Sequence, residues 1–249
     1  TNYTFDGNGN LLTLERYMPN PDPGISTGVL MDQLAYHYDY TAGDKTTNQL
    51  KSISDAVGTT VSMVDVDDQA TVLFDHDSDG TLESYVYDEI GQLIMDRSND
   101  IAAIDWTVTG KVKKITYDNS LNSDLETSVV WVKFEYDPTG NRVSKEVYNK
   151  VTVPATLETP GYYYYETTAT YYTHDASGNV IATYEFVDNP DDGTKTVTLN
   201  EHIVYGSKRL GIIHQDIDMT TPPFSPNGKY KRVLGDKAYE LSNHLGNVL

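Results

Sequence analysis

Residues Trp131–Lys145 read W-V-K-F-E-Y-D-P-T-G-N-R-V-S-K. On the way into this stretch, Val130, Val132, Phe134 and Tyr136 alternate with Val129, Trp131, Lys133 and Glu135. A two-residue period in β-branched and aromatic residues marks a strand, because successive side chains of an extended backbone point to opposite faces. Asp137-Pro138-Thr139-Gly140 then carries turn chemistry at every position. A carboxylate at the first position can accept from backbone N–H groups, proline pre-sets φ at the second, and glycine supplies the left-handed conformation that closes a three-residue hairpin loop. Arg142, Val143 and Ser144 begin a return strand. The stretch predicts a β-hairpin.

Variants of the same unit recur. The D-x-x-G turn, or its Asn form, stands at Asp6/Gly9, Asp77/Gly80, Asp88/Gly91, Asp137/Gly140, Asp175/Gly178 and Asn243/Gly246. Tyr3 and Phe5, Val72 and Phe74, and Tyr85 and Tyr87 alternate ahead of three of these turns. Tyr36, Tyr38 and Tyr40 also alternate, and are expected to enter a longer turn over Thr41–Asn48 that returns along Leu50–Asp55. Trp106–Val112 is a variant with Gly110 but no Asp in the usual place. Tyr162–Tyr165, Tyr171-Tyr172, Ile181–Val187, Glu201–Tyr205 and Leu210–His214 read as further strand pieces, with a second turn at Asp188–Gly193. Spacing between turns is irregular, which argues against a fixed-period solenoid. No capped segment of helical period interrupts the pattern. The expected fold class is all-β, with consecutive antiparallel hairpins in sequential order forming a curved sheet.

Composition narrows the function classes. The 249 residues carry 18 basic and 37 acidic side chains, a formal charge of −19. Such a field repels a nucleic-acid backbone, and the short runs Lys111/Lys113/Lys114 and Lys229/Lys231/Arg232 do not reverse it. There is no Cys, so disulfides and thiolate metal sites are excluded. No run of 18 or more apolar residues marks a membrane-spanning helix. Tyrosines outnumber phenylalanines 20 to 5, a bias that suits half-buried sheet faces where a ring packs and a hydroxyl finds a partner.

Residues with chemical potential have a competing local reading in each case. Asp75-His76-Asp77-Ser78-Asp79-Gly80 places carboxylates at the first, third and fifth positions of a calcium loop, yet the twelfth position is Val86. Asp75, Asp77 and Asp79 therefore read either as a structural calcium site or as an acidic hairpin turn. None of the six histidines has zinc-motif spacing. Ser54, Asp55 and His76 include hydrolase residue types, but no G-x-S-x-G elbow supports them. Gly7 and Gly9 belong to a turn, not to a phosphate loop. Aromatic stripes could stack on sugars, although cross-strand packing explains their spacing more simply. No catalytic residue and no cofactor other than calcium is expected.

The units resemble the tyrosine–aspartate (YD) repeats of bacterial rearrangement-hotspot (Rhs) proteins. The resemblance is clearest at Tyr136-Asp137-Pro138-Thr139-Gly140-Asn141-Arg142-Val143, Tyr87-Asp88-Glu89-Ile90-Gly91 and His174-Asp175-Ala176-Ser177-Gly178-Asn179-Val180. Glu201–Gly211 and Tyr239–Val248 resemble the end of the core in Rhs-like proteins of the Bacteroidota. The likeness covers nearly the whole chain, with Gly58–Ala70 departing from it. It implies a bacterial protein that is secreted or held at the cell surface. In many family members the repeats coil into a β-shell around a C-terminal toxin, which supplies the enzymatic activity; others are adhesion proteins. The expected role is thus a non-enzymatic structural segment over residues 1–249. Its implied partners are the remainder of a longer Rhs-like chain or its toxin domain, secretion machinery, or a cell-surface protein. No D-P-x-G-L segment, of the kind linked to self-cleavage in the family, is present; Asn141 follows Asp137-Pro138-Thr139-Gly140. Thr1 lies almost within a strand and Leu249 stops where a return strand is expected, so the chain reads as a piece of a longer protein.

Overall fold

A computed structural model describes residues 2–20, 27–41, 44–57, 82–118, 127–153, 160–221 and 237–240, with isolated positions 73, 75, 155 and 235. The chain divides into two compact units, Thr1–Ile104 and Asp105–Leu249. The fold is all-β and built from antiparallel hairpins. Among the described residues the sole helical piece is one 3-10 turn, Arg97–Asn99.

The first unit contains β1 (Asn2–Phe5), β2 (Leu11–Met18), β3 (Val29–Thr41) and β4 (Asp44–Asp55), hydrogen-bonded in that order. A short hairpin follows, β5 (Tyr85–Tyr87) with β6 (Leu93–Asp96), and β7 (Ile101–Trp106) carries the chain into the second unit. The hairpin joins β4 through backbone: Ser84 N donates to Lys51 O at 2.7 Å, and Arg97 N to Ser84 O at 2.9 Å. The return from β3 begins at Asp44, with Thr41 opposite Asp44, so the expected long turn over Thr41–Asn48 is mostly strand. Polar K-T-T-N offers no apolar alternation to reveal it.

The second unit contains β8 (Val112–Tyr117), β9 (Thr127–Tyr136), β10 (Arg142–Val153) and β11 (Tyr162–His174). It continues with β12 (Val180–Asn189), β13 (Thr194–Tyr205), β14 (Arg209–Asp218) and β15 (Lys237–Tyr239). Each strand lies beside its chain neighbour. The two tyrosine clusters at 162–165 and 171–172 belong to one strand of 13 residues. β13 and β14 are also longer than the sequence pattern indicates, because polar residues such as Thr194, Lys195 and Thr196 in β13 and Gln215 and Asp216 in β14 extend them.

Among the described residues few side chains are fully buried. Met31, Leu34 and Val86 form the apolar core of the first unit, and Val132, Ala169, Ala182 and Leu199 that of the second. Buried polar groups accompany them. Asp32, wholly buried, faces Arg16 in register across β2 and β3. The guanidinium grips it through Nε–Oδ2 and Nη2–Oδ1 contacts, both 2.7 Å. Glu83, also buried, pairs with Lys51 of β4. A buried carboxylate costs several kcal/mol unless paired and hydrogen-bonded, so these contacts are requirements of the packing.

Candidate functional site

Among the described residues, five turns share one geometry, starting at Asp6, Asp88, Thr107, Asp137 and Asp175. In each, the N–H of the first residue donates to the fifth carbonyl at 2.8–2.9 Å, and the N–H of the glycine donates to the first carbonyl at 2.9–3.1 Å. Gly9, Gly91, Gly110, Gly140 and Gly178 have φ of 75° to 90°. This is a type I turn closed by a left-handed glycine, the three-residue hairpin loop with a bulge. The bulge appears as a register shift at Thr4/Phe5, Val86/Tyr87, Arg142/Ser144 and Thr173/His174.

The aspartates tie these loops. Asp137 Oδ1 accepts from the N–H groups of Thr139 and Asn141 at 2.9 and 2.8 Å and from the Thr139 hydroxyl at 2.7 Å. The Asn141 amide donates to Oδ2 at 3.1 Å. The Thr139 hydroxyl contributes most to holding the Asp137 carboxyl down at about 2, with the Asn141 and Thr139 donors adding to it. Asp175 is lowered similarly, chiefly by the Asn179 side chain and backbone. Asp6 and Asp88 accept from the second and fourth following N–H groups in the same way. Each of the four carboxylates is thus occupied by turn donors, and those of Asp137 and Asp175 are held down by them, a poor arrangement for donating a proton to a substrate. The contribution of Asn10, Asn141 and Asn179, which return an amide to their Asp, is not apparent from the D-x-x-G pattern. The expected variant turn over Trp106–Val112 is present with Gly110, and there the Thr107 hydroxyl accepts from Lys111 N at 3.0 Å in place of a carboxylate.

The tyrosine ahead of a turn has its own task. Tyr38, Tyr136 and Tyr205 donate their hydroxyls to the carbonyls of Leu11, Val112 and Val180, at 2.9, 2.9 and 3.0 Å. Each acceptor is the first residue of the adjacent strand. The paired ladders end at Thr13↔Ala35, Lys114↔Lys133 and Ala182↔His202. In all three cases the tyrosine lies three residues past the last pair on its strand, and its acceptor two residues before it. The strands separate toward the turn, and a phenol hydroxyl spans the gap that a backbone N–H no longer reaches. This gives a physical reason for Tyr over Phe at that position.

Neighbouring turns also touch. Lys111 Nζ donates to Gly140 O, and a Cβ added at Gly140 would stand 3.2 Å from that Nζ. A Cβ at Gly178 would stand 3.1 Å from Asn141 Oδ1. In the second unit the turns at Thr107, Asp137 and Asp175 therefore lie in a row along one sheet edge. Between the first two is a groove of about 600 Å³, lined by Lys111, Lys113, Phe134, Tyr136, Pro138 and Val143 among others. In the first unit, Asn48 Oδ1 accepts from Asn8 and Asn10, while Gln49 lies against Gly91.

A second feature crosses β9–β11. Trp131 and Tyr148 stack at 5.1 Å and 14°, and Tyr148 and Tyr165 at 5.1 Å and 3°. Tyr163 meets Tyr165 edge-on at 5.9 Å. Lys114 Nζ lies 5.4 Å from the Trp131 ring, and Lys150 Nζ 4.4 Å from the Tyr163 ring. Ring spacing close to the separation of paired strands is what lets the stack run from strand to strand.

The remaining candidates do not converge. Asp77, Gly80, Asn243 and Gly246 lie outside the described residues, as do Asp79 and His76; of the calcium candidates Asp75, Asp77 and Asp79, only Asp75 is described. His37 is the histidine beside Ser54, at 2.8 Å, while Asp55 Oδ1 accepts from the N–H groups of Gln33 and Val57. Among the described residues no three His, Asp or Glu side chains gather in a manner suited to a metal ion. No helix among them is long and apolar enough to cross a membrane. No family model matches the chain, and no curated protein matches it.

Proposed function

We propose that the chain is a non-enzymatic structural segment of a secreted, Rhs-like bacterial protein, forming part of a wall that encloses or carries a downstream toxin. The observation that carries this reading is the repetition of one joint. An Asp- or Thr-headed turn closes a hairpin, and a tyrosine hydroxyl bonds that hairpin to its neighbour, at Tyr38, Tyr136 and Tyr205. Such a joint extends a sheet hairpin by hairpin, which is what a wall of variable length requires. The carboxylates of the turns are spent on backbone and amide donors, which favours a mechanical role over a catalytic one. Limited proteolysis of the full natural polypeptide tests the proposal. A region downstream of this segment should resist cleavage while the segment is folded and become cleavable when it is unfolded. Cleavage of everything outside the segment under native conditions would refute enclosure.

Tyr162, Tyr163, Tyr165 and Tyr171 of β11 are exposed, which favours a second reading as an adhesion or binding protein of the cell surface. Binding of whole cells by the secreted polypeptide, lost on replacing these tyrosines with serine, would support it over the first.

A further inference from the structure

We propose that Asn8 is a site of spontaneous covalent modification, at which the side-chain amide is lost as ammonia through attack by the Gly9 nitrogen. Comparison of the sister turns singles the position out. Ahead of the left-handed glycine stand Asn8, Ile90, Thr109, Thr139 and Ser177. Of these five, Asn8 alone has an amide carbon that closes a five-membered ring with the next backbone nitrogen. Glycine hinders that closure least, because it has no Cβ. Asp6–Gly7 and Asp192–Gly193 share the glycine, but offer carboxylates tied to turn donors in place of a carboxamide.

Access agrees with this choice. Asn8 and Gly9 are both exposed. A Cβ built at Gly9 meets nothing within 4 Å, whereas Gly91, Gly140 and Gly178 have Gln49, Lys111 and Asn141 against them. An imide ring and an entering water therefore find open space at Gly9. The Gly9 N–H donates to Asp6 O at 3.1 Å, so its nitrogen reacts when the turn opens locally. The folded chain is slowed by that bond and not protected outright. In the step itself, the Gly9 nitrogen gives up its proton and bonds to Asn8 Cγ. The Cγ–Nδ2 bond breaks, and ammonia leaves with the proton. Water then opens the imide at one of its two carbonyls, giving an aspartate or an isoaspartate at position 8.

Either product changes a tertiary contact. Asn48 Oδ1 accepts from Asn8 Nδ2 at 3.3 Å and from Asn10 Nδ2 at 3.0 Å, which ties the first turn to β4. A carboxylate has no N–H to give. If the Asn48 amide turned to donate to it, its NH2 would face that of Asn10. An isoaspartate also adds a methylene to the backbone of a loop closed by Asp6 N to Asn10 O and Gly9 N to Asp6 O. Conversion thus releases the tip of the first hairpin from β4.

Ageing the whole chain at mildly alkaline pH, followed by tryptic mapping with mass spectrometry, tests the assignment. Peptide 1–16 should gain about 1 Da at position 8, in part as isoaspartate that an isoaspartyl methyltransferase labels. The gain should be slower than in the urea-unfolded chain. It should be absent from Asn8→Thr, which places there the residue found at Thr109 and Thr139. Mapping separates Asn8 from the other Asn–Gly pair, Asn227–Gly228, which lies outside the described residues. No gain at position 8 of the folded chain, over a period that converts the unfolded one, would overturn the assignment. Equal gain at the turn residues Asn141 and Asn179 would do the same. In Asn8→Asp the Asn48 side-chain amide resonances should shift, and unshifted resonances would refute release from β4.

Discussion

Replacing Arg16 with Met should destabilise the first unit more than replacing its partner does. The two charge-assisted hydrogen bonds from Arg16 to Asp32, each 2.7 Å, are worth about 1.5–3 kcal/mol apiece. What remains after each deletion differs. Asp32 has no solvent exposure, whereas the Arg16 side chain is 32% exposed. Arg16→Met takes the guanidinium from a wholly buried carboxylate, at a cost of about 3–5 kcal/mol. Asp32→Ala leaves a guanidinium that can turn to water, and should cost about 1–3 kcal/mol. Arg16→Met/Asp32→Leu removes both charges and should lie within about 1 kcal/mol of the parent. Urea unfolding of the four proteins, followed by a first-unit probe such as tyrosine fluorescence with assigned amide exchange, gives the double-mutant cycle. For a unit of roughly 100 residues, a loss of 3 kcal/mol lowers Tm by roughly 12–24 °C. If Arg16→Met cost no more than Asp32→Ala, or if the two effects simply added in the double variant, the claim that a buried charge governs this site would be wrong.

Other outcomes follow from the turns and their joints. Tyr136→Phe should cost about 1–3 kcal/mol in urea unfolding of the second unit by leaving the Val112 carbonyl without its partner, while Tyr163→Phe, on an exposed ring, should change stability by less than about 0.5 kcal/mol. Gly178→Ala combines a φ of +84° with a 3.1 Å approach to Asn141 Oδ1 and should destabilise by about 1–2 kcal/mol, whereas Ala at Gly7, which meets nothing within 4 Å, should be nearly neutral. At Gly211 a Cβ would stand 2.1 Å from the Ala238 carbonyl oxygen, so Gly211→Ala should detach β15 and abolish amide-exchange protection at Lys237–Tyr239. The Asp137 carboxyl, held down at about 2, stabilises the folded state above its unfolded value near 4 and loses that contribution as pH falls through 2. Exchange at the Thr139 and Asn141 amides should therefore quicken, relative to its intrinsic rate, between about pH 4 and pH 2, and an unchanged protection factor across that window would contradict the hydrogen-bond assignment.

The hairpin at Trp131–Lys145 is legible in the sequence because its information is local. Alternation gives the strand, and the Asp, Pro and Gly positions give the turn. Where a different residue performs the same physical task, legibility is partial: Gly110 marks Trp106–Val112 as a variant of the unit, but that the Thr107 hydroxyl takes the place of the Asp carboxylate shows only in the structure. β4 extends back to Asp44 through polar residues whose strand state depends on pairing with β3, which no window of sequence displays. The Arg16–Asp32 and Lys51–Glu83 pairs are hidden for the same reason, since each joins residues that only register brings together. The aromatic row lies between these cases. Tyrosines are conspicuous in the sequence, but Trp131, Tyr148 and Tyr165 become one stack only once β9, β10 and β11 are aligned.

Each tyrosine joint reaches back by one strand and no farther: Tyr136 depends on Val112, and Tyr205 on Val180. A duplication that inserts a whole hairpin brings its own turn, its own hydroxyl and its own acceptor carbonyl. A deletion of one takes away the hydroxyl it gives to the preceding hairpin together with the carbonyl it offers to the next. Genes built from such modules can lengthen or shorten by recombination without re-optimising the rest of the protein, so the length of the polypeptide becomes an inheritable dimension that selection can adjust in steps of one hairpin.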